Sequence, residues 1–232
     1  MPDELISIIV PVYNEAATVA AVIDRLLTIE LPAPREIIVV NDGSRDATRS
    51  VLEAVAAGNP PGLAIVHAEE NRGKGHAIRL GFRAARGTIV AIQDADLELD
   101  PAQLAGLVTP ILGGETEVVY GSRFLSGTPD APALTLAANR GLTALTNLLY
   151  RASLTDMETC YKIMRTGVAR ALDLRADRFD IEPEITARLL LGGHRIVERP
   201  VRFSPRSRAA GKKIGWRDGL KTIAVLVRLR FT

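Results

Sequence analysis

The sequence predicts an α/β protein whose mostly parallel sheet is flanked by helices. The chain has 232 residues, of which 47% are apolar and 24% are charged, an ordinary globular composition. Short, β-branched apolar runs alternate with segments of helical periodicity, and polar clusters follow four of those runs. Continuous apolar strands separated by helices are typical of parallel sheets that are covered on both faces.

The first half of the chain alternates regularly between strand and helix. Five apolar runs predict strands, at residues 5–12, 36–40, 63–67, 88–93 and 117–120. Helical spacing predicts helices between them, at residues 19–27, 48–57, 75–85 and 100–112. The last of these helices has a clear beginning, because Asp100 can cap its N-terminus and Pro101 suits the first helical position.

The second half is less regular. We expect helices at residues 134–151 and 183–191 and strands at residues 161–164 and 195–203. A basic loop that contains glycine then leads to an amphipathic helix from Trp216 onward. The apolar residues of this helix recur at helical spacing: Leu220, Ile223, Val227 and Phe231. Basic residues surround them, so the helix is expected either in a membrane interface or packed on the sheet or another subunit.

The charge distribution is uneven along the chain. Residues 195–232 contain 11 basic and two acidic residues, whereas the rest of the chain has a net charge of −7. A basic tail behind an acidic body indicates an anionic partner, although it is also compatible with a solubilising surface. Nucleic acid is not expected, because only 4% of the residues are aromatic and no stacking platform is recognisable.

Cysteine content and hydropathy narrow the class of protein further. Cys160 is the single cysteine, so no internal disulfide can form and a reducing compartment is favoured. No signal peptide is expected, because no basic segment followed by an apolar stretch opens the sequence. No apolar run approaches the roughly 18–20 residues that a membrane span needs.

The polar clusters follow the strands at the edge where open α/β sheets bind ligands. They comprise residues 11–15, 41–44, 93–98 and 121–123. Asp94 and Asp96 can converge on one Mg²⁺ or Mn²⁺, which commonly shares its ligand shell with phosphates. Both could instead be turn or capping carboxylates, although Asp100 is the better candidate for the cap. Asp42 can accept a hydrogen bond from a nucleobase or ribose, or it can form an Asx turn.

Residues 71–75 resemble a phosphate-binding loop but match neither the Walker nor the dinucleotide pattern. A P-loop ATPase and a dinucleotide-dependent dehydrogenase are therefore excluded. Lys74 remains a candidate contact for phosphate or for carboxylates near the site.

Taken in order, these clusters resemble family 2 glycosyltransferases with the GT-A fold. The similarity is greatest to the branch of dolichol-phosphate mannose synthase and polyprenyl-phosphate glucosyltransferases. Residues 155–162, 179–184 and 211–216 are similar to later segments of that branch. The sequence departs from it at Asn41, where many relatives have Asp, and in lacking the C-terminal membrane helices of some relatives.

The resemblance implies a role for each matching residue. On the donor side it implies nucleotide-sugar binding by Pro11, Tyr13, Glu15, Asp42, Lys74, Asp94, Ala95, Asp96 and Glu98. Asp94 and Asp96 would also hold the metal, Mg²⁺ or Mn²⁺. On the acceptor side it implies phosphate contacts from Arg123, Asn139, Arg140, Arg206, Lys212 and Lys213. Asp96, Arg123 and Asp156 are the expected catalytic residues.

The expected reaction is an inverting transfer of a hexose from a UDP- or GDP-sugar to a polyprenyl phosphate. A phosphate acceptor is largely a dianion at neutral pH and needs positioning by cations rather than a strong base. The alternative is a soluble hydroxyl or saccharide acceptor with Asp156 as the general base. A further alternative is a nucleotide-sugar-binding protein with little turnover.

We expect residues 1–215 to form the catalytic domain and residues 216–232 the amphipathic helix. The expected location is peripheral, at the cytoplasmic face of the membrane, with a second copy or a membrane subunit as an alternative partner.

Overall fold

A computed structural model of the chain describes residues 4–205 and 216–231, and the side chains of residues 216–218 are outside that description. Seven strands form one sheet: β1 (Ile6–Val12), β2 (Arg35–Asn41), β3 (Leu63–His67), β4 (Ile89–Ile92), β5 (Val118–Ser122), β6 (Lys162–Arg165) and β7 (Ile196–Pro200). The helices around it are α1 (Val19–Thr28), α2 (Thr48–Ala57), α3 (Lys74–Ala84), α4 (Leu104–Leu112), α5 (Ala133–Tyr150), α6 (Thr166–Ala171), α7 (Ile181–Leu191) and α8 (Trp216–Phe231).

The strand order is β3-β2-β1-β4-β6-β5-β7. The pairs β1–β2, β2–β3, β1–β4 and β5–β7 are parallel, whereas β6 is antiparallel to both β4 and β5. The mostly parallel sheet that the sequence predicts is therefore confirmed. Because β6 runs the other way, its beginning lies at the edge where β4 and β5 end, so residues 155–161 reach the same edge as the polar clusters.

The core lies where the central strands β1 and β4 pack against helices on both faces. Ile6, Ile8 and Ile9 of β1 are completely buried, as is every residue of β4. Helix α3 approaches β1 so closely that a Cβ atom on Gly81 would lie 2.2 Å from Cγ2 of Ile9. The apolar runs of the sequence are uninterrupted for this reason: neither face of these strands meets water.

The predicted elements differ from the observed ones mainly at their ends. Asp100 caps a short 3₁₀ turn, Pro101–Gln103, that precedes α4, and its Oδ1 accepts a hydrogen bond from the Ala102 amide at 3.2 Å. Helix α6 was not predicted, because its six residues follow β6 directly and are too few to show a helical period. Helix α7 begins two residues earlier than predicted, and β7 is shorter at both ends.

Helix α8 packs against α5 and α7 and presents two different faces. Thr222, Val225 and Leu226 are buried, and the Tyr150 hydroxyl donates a hydrogen bond to the Leu226 carbonyl at 2.7 Å. The stripe noted in the sequence lies on the other side: Leu220, Ile223, Val227 and Phe231 are 39–78% exposed. Among the helices described, none is both long enough and apolar enough to cross a bilayer.

Candidate active site

The loops that follow β1 and β2 are held together by hydrogen bonds. Asn14 adopts a left-handed backbone conformation with φ of 54°, and its amide donates to Ser44 Oγ at 3.0 Å. In return, Asn14 Oδ1 accepts from the Arg45 amide at 2.8 Å. Pro11 lies near the end of β1, whereas Tyr13 and Glu15 lie on the loop that follows, and all three candidate nucleoside-binding residues are partly buried. They therefore occupy a fixed wall at the edge of the sheet.

Asp42 fixes the loop that leads into α3. Its Oδ2 accepts hydrogen bonds from Asn71 Nδ2 at 2.9 Å, from the Arg72 amide at 3.0 Å and from the Gly73 amide at 2.6 Å. Its Oδ1 lies 3.0 Å from His76 Nδ1, and the residue is 2% exposed. The carboxylate thus organises residues 71–76, and its contact with a nucleobase stays a prediction.

Lys74 begins α3 and points at two carboxylates. Its Nζ lies 2.8 and 3.1 Å from the two Asp94 oxygens and 2.9 Å from Glu182 Oε1. The preceding Gly73 has φ of 119°, and a Cβ there would lie 2.5 Å from the Asp177 carbonyl oxygen, so the turn into α3 requires glycine. Burial opposes the charged ammonium, but the charges of Asp94 and Glu182 outweigh it and raise the pKa of Lys74 well above its usual value.

A second buried ammonium, Lys162, shares the same glutamate. Lys162 begins β6, is completely buried, and donates to the Met157 carbonyl at 3.0 Å, to the Thr159 carbonyl and to Glu182 Oε2. Glu182 therefore lies between Lys74 at the start of α3 and Lys162 under the loop that precedes β6. The charges alternate from Asp94 through Lys74 and Glu182 to Lys162, which allows Glu182 and Lys162 to be buried and Lys74 and Asp94 to be partly buried.

Asp94 and Asp96 flank the buried Ala95 on the loop after β4. Burial raises the pKa of Asp94, but the charge of Lys74 outweighs that effect and lowers it below its usual value. Asp96 Oδ1 accepts a hydrogen bond from the Glu98 amide at 3.2 Å. Across residues 4–205 and 216–231, no three His, Cys, Asp or Glu side chains are grouped to hold a metal ion. Two carboxylates fit Mg²⁺ or Mn²⁺, which prefer oxygen ligands and take the remaining ones from phosphate and water.

Arg123 and Asp156 form a closed ion pair beside β5. Arg123 Nε and Nη2 each donate to Asp156 at 2.7 Å, and the Arg123 amide donates to the same carboxylate at 3.0 Å. Asp156 is completely buried, whereas the Arg123 side chain is 15% exposed and packs over the Phe203 ring at 5.5 Å. Glu198 of β7 accepts from the Asp156 amide at 3.0 Å and so fixes the loop from the far side.

Glu158 is a partly buried acid that the sequence analysis did not single out. Its Oε1 is buried and accepts no hydrogen bond within the part of the chain that is described. Burial raises the pKa of Glu158 to about 7, opposed by the charges of Lys162 and Arg123 and assisted by those of Glu182 and Asp156.

Glu158, Lys162 and Glu182 all lie in the segments 155–162 and 179–184 that carry the resemblance. The resemblance of these segments to the family was therefore the signal by which these three residues could have been found.

The other predicted acceptor residues fall into two groups. Asn139 and Arg140 lie on α5, where the Arg140 guanidinium packs over the Phe124 ring at 5.3 Å, close to the end of β5. Arg206, Lys212 and Lys213 lie outside the described residues. The chain leading towards them crosses the donor-side loop, because the Ser204 amide donates to the Glu98 carbonyl at 2.9 Å.

The comparisons with known proteins agree with this fold and site. Residues 7–172 match the family described as Glycosyl transferase family 2, and the chain belongs to that family. Its structure superimposes on that of glucosyl-3-phosphoglycerate synthase from Mycobacterium tuberculosis in complex with Mn²⁺, UDP and phosphoglyceric acid. The TM-score is 0.75 at 23% identity, over 98% of this chain and 79% of the other. The predicted GT-A fold is confirmed.

Two relatives are similar in sequence. Glycosyltransferase AglD of Haloferax volcanii is 30% identical over 87% of this chain and 33% of its own length. Polyprenol monophosphomannose synthase of Mycolicibacterium smegmatis is 26% identical over 92% of this chain and 83% of its own length. The chain thus spans about a third of the length of AglD and most of the length of the synthase.

Proposed function

We propose that this chain catalyses the inverting transfer of a hexose from a UDP- or GDP-sugar to a polyprenyl phosphate. The observation that carries the proposal is the pairing of two kinds of side chain at one edge of the sheet. Asp94 and Asp96 offer oxygen ligands after β4, and Arg123 offers a guanidinium after β5, with β6 between those two strands. An enzyme that transfers sugar between two phosphate-bearing substrates needs both.

On the donor side, Asp94 and Asp96 would hold Mg²⁺ or Mn²⁺, and the cation would supply positive charge to a leaving diphosphate. Pro11, Tyr13 and Asp42 surround the nucleoside. The proposal is supported by the M. tuberculosis synthase, whose structure was determined with Mn²⁺ and UDP. It is also supported by the type of ligand atoms at the site, because carboxylate oxygens without sulfur or imidazole suit a hard cation.

On the acceptor side, Arg123 orients a phosphate. Nε and Nη2 are held by Asp156, while Nη1 makes no hydrogen bond to any described residue and can donate to an acceptor oxygen. The same contacts argue against a hydroxyl acceptor with Asp156 as base, because both Asp156 oxygens already accept from Arg123. A phosphate dianion needs only to be positioned for attack on the anomeric carbon.

The exposed stripe of α8 suits a lipid acceptor. Leu220, Ile223, Val227 and Phe231 form an apolar strip, and the neighbouring Lys221, Arg228 and Arg230 are exposed as well. Apolar residues flanked by cations are typical of helices that lie in the interface of an anionic membrane. We therefore propose a peripheral enzyme that collects its acceptor from the membrane surface. The name of the M. smegmatis relative, polyprenol monophosphomannose synthase, supports a polyprenyl acceptor.

A transfer assay tests this function. A panel of UDP- and GDP-sugars is incubated with a short polyprenyl phosphate or the matching polyprenol, with Mg²⁺, Mn²⁺ or EDTA. We expect sugar on the phosphate alone, and only with a cation present. Transfer to the alcohol, or to soluble saccharides alone, would replace the phosphate acceptor with a hydroxyl one.

A further inference from the structure

We propose that Lys74 competes with the divalent cation for Asp94 and that Glu182 is the carboxylate that receives Lys74 when the cation binds. This inference rests on the proposed metal site at Asp94 and Asp96. It assigns Glu182 the role of a positioning residue, which acts on the donor site through Lys74.

The Lys74 ammonium covers the Asp94 carboxylate. Nζ lies 2.8 and 3.1 Å from the two oxygens, so one ammonium covers both. A carboxylate that is covered in this way has little negative charge left to attract a cation. Lys74 must therefore withdraw from at least one Asp94 oxygen before Asp94 can serve as a metal ligand.

A second carboxylate oxygen, Oε1 of Glu182, lies beside Lys74. Glu182 is 4% exposed, and its Oε1 is 2.9 Å from Nζ, close enough for an ion pair. Oε1 accepts no hydrogen bond from any described residue, so its contact with Nζ is an ion pair without a well-aligned hydrogen bond. An N–H of Lys74 that turns from Asp94 towards Oε1 would add a hydrogen bond to this ion pair, so Glu182 is suited to receive the ammonium.

Glu182 is held in place by a second lysine and would stay there while Lys74 turns. Its other oxygen, Oε2, accepts a hydrogen bond from Lys162, which is completely buried and also bound to two carbonyl groups. Because Nζ is already in contact with Oε1, a rotation about the end of the lysine side chain suffices. Lys74 then remains paired at all times, and Asp94 changes from a covered carboxylate to an open one.

The test is Mn²⁺ binding without nucleotide, measured by the electron paramagnetic resonance signal of free Mn²⁺. Lys74→Met opens Asp94, so we expect Mn²⁺ to bind about tenfold more tightly. Glu182→Gln leaves Lys74 with Asp94 alone, so we expect binding about three- to tenfold weaker. Asp94→Asn serves as the site control and should abolish the tight site in every background.

Glu182→Asp separates positioning from a simple effect of charge. Aspartate keeps the negative charge but is one methylene shorter and withdraws from Lys74. If Glu182 acts only through its negative charge, the Mn²⁺ affinity stays unchanged in this variant. The proposal instead predicts a loss of affinity similar to that of Glu182→Gln. Glu184→Gln is the matched control, because Glu184 is equally buried on α7 but bonds the Arg175 and Ala176 amides and Arg188.

Each remaining outcome is decisive. Wild-type affinity in Glu182→Asp overturns the positioning role, and unchanged or weaker Mn²⁺ binding in Lys74→Met overturns the competition. Both Glu182 variants leave Lys162 poorly paired, so if neither folds, Lys74→Met decides alone. If the wild-type protein binds no Mn²⁺, even with UDP or GDP present, the proposed metal site itself is wrong.

Discussion

The proposed donor-side and acceptor-side halves of this site are built in different ways. After β1 and β2, short polar side chains and backbone amides hold the loops, as in the bonds of Asn14 and Asp42. Around β6, charged side chains are buried in pairs, such as Arg123 with Asp156 and Lys162 with Glu182. The first half tolerates loss of a single bond, whereas the second is sensitive to the loss of any one charge.

The largest effect is expected at the proposed metal ligands Asp94 and Asp96. Asp96→Ala should lower kcat at least about a thousandfold, because the departing diphosphate loses its cation. Asp100→Ala is the matched control on the same loop: it removes a helix cap, should cost about 1 kcal/mol in the free energy of unfolding, and should leave turnover close to wild type. Near-normal turnover of Asp96→Ala would remove the metal role of Asp96.

The Arg123–Asp156 pair distinguishes a structural role from a role in binding. Arg123→Ala strands a completely buried carboxylate and should cost about 3–5 kcal/mol of stability, measured by denaturant unfolding. The double variant Arg123→Ala/Asp156→Ala should regain much of that stability. Its KM for the phosphate acceptor should nevertheless stay high, because Nη1 is gone. Recovery of KM together with stability would make Arg123 purely structural.

Glu158 predicts an unusual dependence of stability on pH. Its pKa rises from 4.5 to about 7 on folding, so between these values the folded protein holds a proton that the unfolded chain has lost. Stability therefore falls as the pH rises through this window. Glu158→Gln should raise the unfolding free energy by about 1–3 kcal/mol at pH 8 and change it little at pH 4. The exposed Glu30→Gln is the control, and an equal gain at both pH values would contradict the assignment.

The smallest effect is expected at the exposed stripe of α8. Ile223→Glu and Val227→Glu should each weaken binding to anionic liposomes about three- to tenfold in a sedimentation assay, without changing thermal stability. Ala56→Glu on α2, which packs beside the edge strand β3, is the control for added negative charge. If all three variants bind liposomes equally well, the exposed stripe of α8 does not bind the membrane and is a surface for subunit contact instead.

The difference between the two halves also explains which features could be predicted from the sequence. Strands β1 to β5 and their helices follow from local periodicity, and the polar clusters follow from where those strands end. The ion pairs do not, because Arg123 and Asp156 are 33 residues apart and Lys162 and Glu182 are 20 apart, so no local pattern joins them. Asp156 could be noticed as an acid, but its partner depended on the antiparallel direction of β6.

For helix α8, the sequence showed the local pattern but did not show which face of the helix is buried. The stripe chosen from helical spacing is the exposed one, because the buried face contains Thr222 as well as Val225 and Leu226 and is thus less apolar in sequence. A hydrophobic period alone does not tell which face a terminal helix turns towards its own domain.

The central claim is that a phosphate, not a hydroxyl, attacks the sugar. The most direct measurement places polyprenyl phosphate and the matching polyprenol in one reaction with labelled nucleotide-sugar and Mg²⁺, and determines the lipid product and its anomeric configuration. The account predicts a phosphodiester-linked sugar of inverted configuration and no glycosylated alcohol. A glycosylated polyprenol, or a product of retained configuration, would contradict it.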